Sequence, residues 1–360
     1  MALSRPEAGA PGTAQDHGFH SLRVARVIAE TADASSFVLE VPDALRPLFA
    51  YEAGQFCTFR VRIDDQVLLR CYSMSSSPAV DPEITVTVKR TPGGVVSNWM
   101  NDQLRQGDTL EVTRPAGVFR LGPSPGDVVA FSAGSGITPV LSLVKTALAT
   151  TTRRVRLLYA NQDRDAVIFA SALESLGREF GDRLSVSHHL DVDRGLVEAE
   201  TIGDFADAAE DPEFYVCGPG AFMDLVEQSL HSRGVLPARI FIERFTPAEW
   251  MDEPELPASV APETGTGTRV TVELDGRSSS ADYRPGTTIL QTARQMGLSP
   301  PFSCESGSCA TCMAMLVEGT AAMHVNNALT DDEVAQGWIL TCQAVPTSVS
   351  VHAVYDYEEG

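Results

Sequence analysis

Cys304, Cys309 and Cys312 are spaced C-x4-C-x2-C and are followed, after 29 intervening residues, by Cys342. No other feature limits the possible folds of this chain as much. Four thiolates at this spacing hold a [2Fe–2S] cluster, so one short loop and one distant residue must meet at a single point. Ser306, Gly307, Ser308 and Ala310 inside the loop are small, which lets the backbone wrap closely and aim its N–H groups at sulfur. The competing assignments are a structural zinc site or a disulfide. Zinc sites usually pair two short C-x2-4-C arms, whereas the fourth cysteine here stands alone and distant. Cys57, Cys71 and Cys217 complete the seven cysteines, an odd remainder that suits free thiols in a reducing cytoplasm better than a disulfide framework.

Domains usually take roughly 100 to 200 residues each, so a chain of 360 holds two or three, and its motifs require three. Residues 1–18 have no apolar run, which excludes a signal peptide and reads as a disordered tail. Residues 19–124 read as short strands, with Ile84, Val86 and Val88 on one face and Thr85, Thr87 and Lys89 on the other, the pattern of a small antiparallel β-barrel. In residues 125–245 the strand-like runs Val128–Ser132, Val155–Tyr159, Leu184–His188 and Phe214–Cys217 alternate with helices such as Val140–Ala149 and Ala221–Arg233. That alternation implies a doubly wound α/β nucleotide domain. Residues 246–268, with four prolines, two glycines and no basic residue, have a linker composition. In residues 269–360 a strand at Val270–Leu274, a helix at Thr287–Met296 ended by Gly297, and then the cysteine loop fit an α+β ferredoxin domain of β-grasp type.

No stretch approaches the roughly 18 continuous apolar residues of a membrane span, so membrane insertion is not expected. The net charge of −21 argues against nucleic acid, whose phosphates need clustered Lys and Arg. Residues 269–360 hold 4 basic and 11 acidic side chains, as suits docking on a basic patch of a protein partner. Plain solubility accounts for the same charge.

Two motifs read as a flavin site. Arg70-Cys71-Tyr72-Ser73 ends a barrel strand: Arg70 offers a forked donor to pyrophosphate, Tyr72 a ring for the isoalloxazine, and Ser73 a hydroxyl for the reactive flavin nitrogen. Gly93-Gly94-Val95-Val96-Ser97 opens a helix whose first N–H groups, with Ser97, favour phosphate. Alone, each motif is also an ordinary strand or capped turn. Ala133-Gly134-Ser135-Gly136-Ile137-Thr138-Pro139 falls between a buried strand and a helix, the place of a nucleotide-binding turn, although the third glycine of the common fingerprint is missing. Cys217-Gly218-Pro219-Gly220 follows a later strand, and its small residues permit a flat ring to approach. His188, His189, Asp191, Asp193 and Arg194 read as a strand end and a solvated turn.

In this order, and with Glu243-Arg244-Phe245 and the cysteine loop after them, these motifs resemble the ferredoxin–NADP reductase superfamily over about Phe19 to Tyr355. Within it the chain is most similar to oxygenase reductases with a C-terminal plant-type ferredoxin, above all those of 3-ketosteroid 9α-hydroxylase systems. The resemblance implies FAD at Arg70, Tyr72, Ser73, Gly94, Val95, Val96 and Ser97. It implies NADH at Gly134, Ser135, Gly136, Thr138, Cys217, Gly218 and Pro219, with NADPH possible because the loop 161–165 holds both an acid and an arginine. Ser73, Cys217, Glu243 and Phe245 would then surround the reacting rings, and Cys304, Cys309, Cys312 and Cys342 would ligate the [2Fe–2S] cluster. The expected protein is a cytoplasmic monomeric reductase passing electrons from NADH through FAD and the cluster to a separate terminal oxygenase, Rieske-type or diiron. The alternatives are a reductase for a fatty-acyl desaturase or cytochrome P450, and a redox-sensing regulatory protein.

Overall fold

The computed structural model describes residues 19–64, 66–244, 267–274, 276–298, 300–302, 307, 310–326 and 328–355. One compact unit holds the described residues from His20 to Arg244 and another those from Gly267 to Tyr355. No helix among the described residues is long and apolar enough to cross a membrane.

In the first unit β1 (Phe19–Thr31), β2 (Ala34–Glu40), β3 (Phe56–Ile63), β4 (Gln66–Ser73), β5 (Ile84–Lys89) and β6 (Thr109–Thr113) form a sheet in the order β4-β3-β6-β1-β2-β5. The pairings β1–β2, β2–β5, β3–β4 and β3–β6 are antiparallel. An antiparallel bridge from Met74 to Val86 joins the two ends of that order and closes the sheet into a barrel. Alternation turns Phe37, Leu39, Phe59, Val61, Val86 and Val88 inward. The helix α1 (Val95–Gln103) lies between β5 and β6 and adds Val96 and Met100 to that core.

The nucleotide sheet takes the order β11-β10-β7-β8-β9, all parallel, from β7 (Val128–Ala133), β8 (Val155–Asn161), β9 (Leu184–Leu190), β10 (Glu213–Cys217) and β11 (Ile240–Glu243). Every residue of β7 and β10 is buried, because helices cover both faces. Val128, Ala130 and Leu157 pack under α2 (Ile137–Thr150) and α3 (Ala170–Phe180). Beyond β9, α4 (Asp191–Arg194) is a single helical turn where a plain turn was expected, its first-turn acids Asp191 and Asp193 complementing the helix dipole. Val129, Phe131 and Val216 pack under α5 (Ala199–Asp207) and α6 (Gly220–Ser232). The α2 helix begins at Ile137, ahead of the expected Val140, since Pro139 sits in the first turn, where its missing N–H is not needed.

At the amino ends of these strands Arg153 and Glu213 form a buried ion pair, Nη2 to Oε2 2.7 Å. Arg153 also donates to the carbonyls of Gly122 and Gly126, and Tyr215 donates its hydroxyl to Glu213 at 3.0 Å. A side chain on Gly122 would stand 2.3 Å from Glu213 Oε1, so a larger residue there would have to push the Glu213 carboxylate away from Arg153. The α2 helix is seated on the barrel by three contacts: Ser142 Oγ donates to the Ser76 carbonyl, Ser77 Oγ meets Thr146 Oγ1 at 2.7 Å, and Lys145 pairs with Asp81 at 2.9 Å.

The second unit is a mixed sheet in the order β13-β12-β18-β14-β16, from β12 (Arg269–Leu274), β13 (Arg277–Asp282), β14 (Met313–Glu318), β16 (Trp338–Leu340) and β18 (Ser350–Val354), with β15 (Ala321–Met323) and β17 (Ala344–Pro346) paired apart. The strands β12 and β18 run parallel. The helix α7 (Ile289–Gln295) lays Ile289 and Ala293 on Val270, Val272 and Val351, as in a β-grasp. It starts at a reciprocal cap: the Thr288 side chain accepts from Gln291 N while Gln291 Oε1 accepts from Thr288 N. A second such cap, Thr330 with Glu333, opens α8 (Asp331–Gln336).

Candidate functional site

The expected flavin residues sit where β4 leaves the barrel. Arg70 and Tyr72 lie two residues apart and so share one face of the strand, while Ser73 lies on the other. Tyr72 is held edge-on to Phe59 at 5.6 Å, and burial keeps its hydroxyl protonated well above the usual phenol range. The Arg70 guanidinium donates to the Leu69 carbonyl at 2.7 Å and pairs with no carboxylate among the described residues. Ser73 is buried and its hydroxyl has no partner among the described residues. Buried hydroxyls are normally satisfied, so this one fits a bound group that supplies the missing bond.

The second flavin motif is a tight loop. Gly93 has φ +73°, and a side chain on Gly94 would stand 2.8 Å from Ser97 Oγ. Ser97 Oγ accepts from Thr91 N at 3.1 Å and keeps its own hydrogen to donate. Asn98 Nδ2 ties the loop shut by donating to the Gly94 carbonyl at 2.7 Å. No side chain caps α1, which leaves the first-turn N–H groups around exposed Val95 and buried Val96 available to phosphate.

Strand order reverses between β7 and β10, and a crevice outside the carboxyl ends of such a pair is where open α/β sheets bind ligands. The structure brings the two nucleotide loops together there. A side chain on Gly136 would lie 2.1 Å from the Cys217 carbonyl oxygen, and one on Gly218 3.1 Å from Ala133 Cβ. Gly134 takes φ +53°, its carbonyl receives the Tyr159 hydroxyl at 3.0 Å, and Thr138 Oγ1 donates to the Ser135 carbonyl at 3.0 Å. Pro219, exposed, precedes α6. Cys217 pairs in register with Glu243, so these two expected neighbours do meet. Burial first, and then the Glu243 carboxylate, push the Cys217 thiol well above its ordinary range. It therefore stays a neutral thiol and not a nucleophile. Phe245 lies outside the described residues.

Sequence reasoning passed over Ser132 and Asn161, buried at or next to the carboxyl ends of β7 and β8 with no side-chain partner among the described residues. The signal was a polar residue closing an otherwise apolar strand.

Cys304 and Cys309 lie outside the described residues. Cys312 and Cys342 are buried in one cluster, and neither is in a disulfide. Thr341 joins them, because its N–H and its hydroxyl both donate to the Cys312 carbonyl, at 3.2 and 2.8 Å. That hydroxyl also meets Tyr355 OH at 2.7 Å, and the Thr341 carbonyl accepts from Leu290 N at 3.0 Å. Gly307 (φ +77°) has no room for a side chain, which would come 2.6 Å from the Val325 carbonyl, and Ala310 is also left-handed at φ +54°. Two buried thiols, with Gly307 and Ala310 both in the left-handed region, fit a cluster wrapped by backbone. Replacing Thr341 by Val removes the hydroxyl and keeps the volume. We expect cluster loss to an iron chelator to quicken by on the order of tenfold to a hundredfold, read from the visible absorbance.

Residues 21–121 match the oxidoreductase FAD-binding domain family, 131–228 the oxidoreductase NAD-binding domain family, and 272–347 the 2Fe-2S iron-sulfur cluster binding domain family. The chain is 40% identical over 339 residues to the ferredoxin reductase component of a 3-ketosteroid-9-alpha-monooxygenase from Rhodococcus rhodochrous, covering 92% of this chain and 96% of that one. It is 33% identical to the glycine betaine monooxygenase reductase subunit of Pseudomonas aeruginosa, covering 92% and 94%. Among solved structures it superposes on phthalate dioxygenase reductase with a TM-score of 0.60 at 26% identity, over 95% of this chain and all of the other. Against an intact self-sufficient cytochrome P450 the TM-score is 0.68 at 22% identity, and the chain spans 43% of that protein. By these matches the chain belongs to the oxygenase reductases of the ferredoxin–NADP reductase superfamily, as an NAD(P)H-dependent oxidoreductase carrying FAD and a [2Fe–2S] ferredoxin domain.

Proposed function

We propose that this reductase passes its electrons to a separate terminal oxygenase of the 3-ketosteroid 9α-hydroxylase kind, working as a cytoplasmic monomer that prefers NADH. The observation that carries this reading is the 40% identity running across 96% of a reductase component of that system. The thiols Cys57, Cys71 and Cys217 are free, as a reducing compartment keeps them. When bound, NADH supplies a hydride, FAD divides the electron pair, and the cluster carries one electron at a time. The chain's own work is to hold and align these groups.

In this reading Arg70, the Ser97 hydroxyl and the amides of Gly94, Val95 and Val96 hold the FAD pyrophosphate, and Tyr72 and Ser73 hold its ring. Gly134, Ser135, Gly136 and Thr138 hold the dinucleotide phosphates, while Cys217, Gly218 and Pro219 form the floor under the nicotinamide. Glu243 and Phe245 are assigned to the isoalloxazine, and Cys304, Cys309, Cys312 and Cys342 to the iron.

Mixing the NADH-reduced chain with the purified oxygenase component of a 3-ketosteroid-9-alpha-monooxygenase should give substrate hydroxylation. Slow transfer to that oxygenase alongside fast transfer to a cytochrome P450 or desaturase would replace the proposed acceptor. The flavin roles have their own test. Ser97→Ala removes a hydrogen bond to a charged group worth about 1.5–3 kcal/mol, so FAD should be held roughly tenfold to a hundredfold more weakly. Arg70→Ala should cost at least as much, and extracted flavin should run as FAD in chromatography. Unchanged retention in both variants would move the pyrophosphate elsewhere.

A further inference from the structure

Oxidising NADH to NAD+ releases two electrons and one proton. The electrons leave singly through the cluster, which takes no proton, so one proton per turnover must return to water. We propose that it leaves through a row of buried hydroxyls, Ser75, Thr87 and Ser36, to the carboxylate of Glu30. The proposal rests on the flavin reading above and adds to it a path and a terminal proton acceptor.

The row is continuous. Ser75 Oγ meets Thr87 Oγ1 at 2.8 Å, Thr87 Oγ1 meets Ser36 Oγ at 2.7 Å, and Ser36 Oγ donates to Glu30 Oε1 at 2.6 Å. Ser75, Thr87 and Ser36 are 3%, 4% and 1% exposed, so no bulk water short-circuits them, whereas Glu30 is only half-buried and can discharge to solvent. In each hydroxyl pair either oxygen can donate, which lets the row reverse its polarity after a proton has passed.

The inner end lies at the flavin motif. Ser75 follows Ser73 by two residues, so on an extended chain the two side chains stand on one face with their backbones about 6.6 Å apart, and the relay places one bridging water between the two hydroxyls. Ser73 is buried, and its hydroxyl has no partner among the described residues. Its cross-strand neighbour in the β3–β4 register is Phe56, which can accept no proton. Ser75 Oγ also lies 3.3 Å from the Thr85 carbonyl, which serves as its resting acceptor.

The charges around Glu30 suit a terminal acceptor. Burial raises its carboxyl above the ordinary range, while the Ser36 hydrogen bond and the charge of Lys145 on α2 pull the other way. Lys145 is itself paired with Asp81, and Lys89 follows Thr87 on the same face of β5. The group thus takes up a proton more readily than a surface carboxylate and still faces a cation that helps it let go.

A purely structural role for these hydroxyls, pinning β1, β2 and β5 together, would change stability but not proton timing. The test uses the full chain with its cofactors, mixed with NADH and an acceptor in weak buffer containing a pH indicator. We expect Glu30→Gln and Thr87→Val to delay proton release by on the order of tenfold to a hundredfold, with flavin bleaching by NADH as in the parent and Thr87→Ser restoring the parent rate. Light-driven flavin reduction without NADH should give an infrared difference band from a carboxyl group that disappears in Glu30→Gln. Proton release that keeps pace with the parent in both variants, or a carboxyl band that survives Glu30→Gln, would overturn the relay. Flavin bleaching in the same traces reports the underlying flavin reading separately.

Discussion

A Cys342→Ser chain should purify yellow instead of brown, bleach with NADH at the parent rate, and reduce cytochrome c more slowly by on the order of a hundredfold or more. Changing residues around metal ligands already costs that much elsewhere, and here a ligand itself is lost. The flavin half of the prediction follows from the division of the described residues into two compact units, each with its own core. Cys342 sits in the second unit and Arg70, Ser97, Gly136 and Cys217 in the first. Iron and acid-labile sulfide analysis, with stopped-flow absorbance at the flavin band, reads both halves. Loss of flavin bleaching together with the cluster would show that the units do not act independently.

Arg153→Met should destabilise the nucleotide domain by roughly 3–5 kcal/mol, the cost of leaving one buried charge without its partner. That is a large share of the about 5–15 kcal/mol that holds a typical domain folded. The loss is compound, since Glu213 would keep only the Tyr215 hydroxyl and the carbonyls of Gly122 and Gly126 would lose their donor. Hydrogen exchange should show lost protection across β7 and β10, with β12 and β18 unchanged. Adding Glu213→Leu should recover much of the deficit, because two apolar groups replace a buried pair at little net cost. A double variant as weak as the single one would mean that the Gly122 and Gly126 carbonyls, not the charge, set the penalty.

How much of this could be read from the sequence depended on how local the information was. The strands Val128–Ala133 and Glu213–Cys217 were legible because a strand buried on both faces is a continuous apolar run. The helix after the cysteine domain's first hairpin was legible because Ile289, Leu290 and Ala293 recur at helical spacing and Gly297 follows as its stop, while its Thr288–Gln291 cap was not read from the sequence. Pairs separated by long stretches of chain left no such mark. Arg153 and Glu213 are 60 residues apart, and Ser36 and Thr87 are 51 apart. Nothing in either local sequence announces the other, and only the strand order places them together. The close fit of Gly136 against Cys217 was half-legible: both loops were singled out as small-residue turns, but the lack of room for a side chain between them is a property of the β7–β10 pairing.

The parallel pairing of β12 with β18, Arg269 beside Ser350, bears on how the protein is made. A strand that must wait for a partner some eighty positions downstream cannot be closed by local contacts, and such closure is slow because its loop entropy is met before any contact rewards it. Chains fold from the amino end as they emerge from the ribosome, so the barrel and nucleotide sheet can be complete while β12 is still an open edge. Iron delivered during synthesis would meet the cysteine loop before its last ligand is anchored. Flavin acquisition should therefore come first in the cell, and cells short of iron should accumulate a yellow, flavin-loaded form whose carboxyl-terminal part is open to proteases.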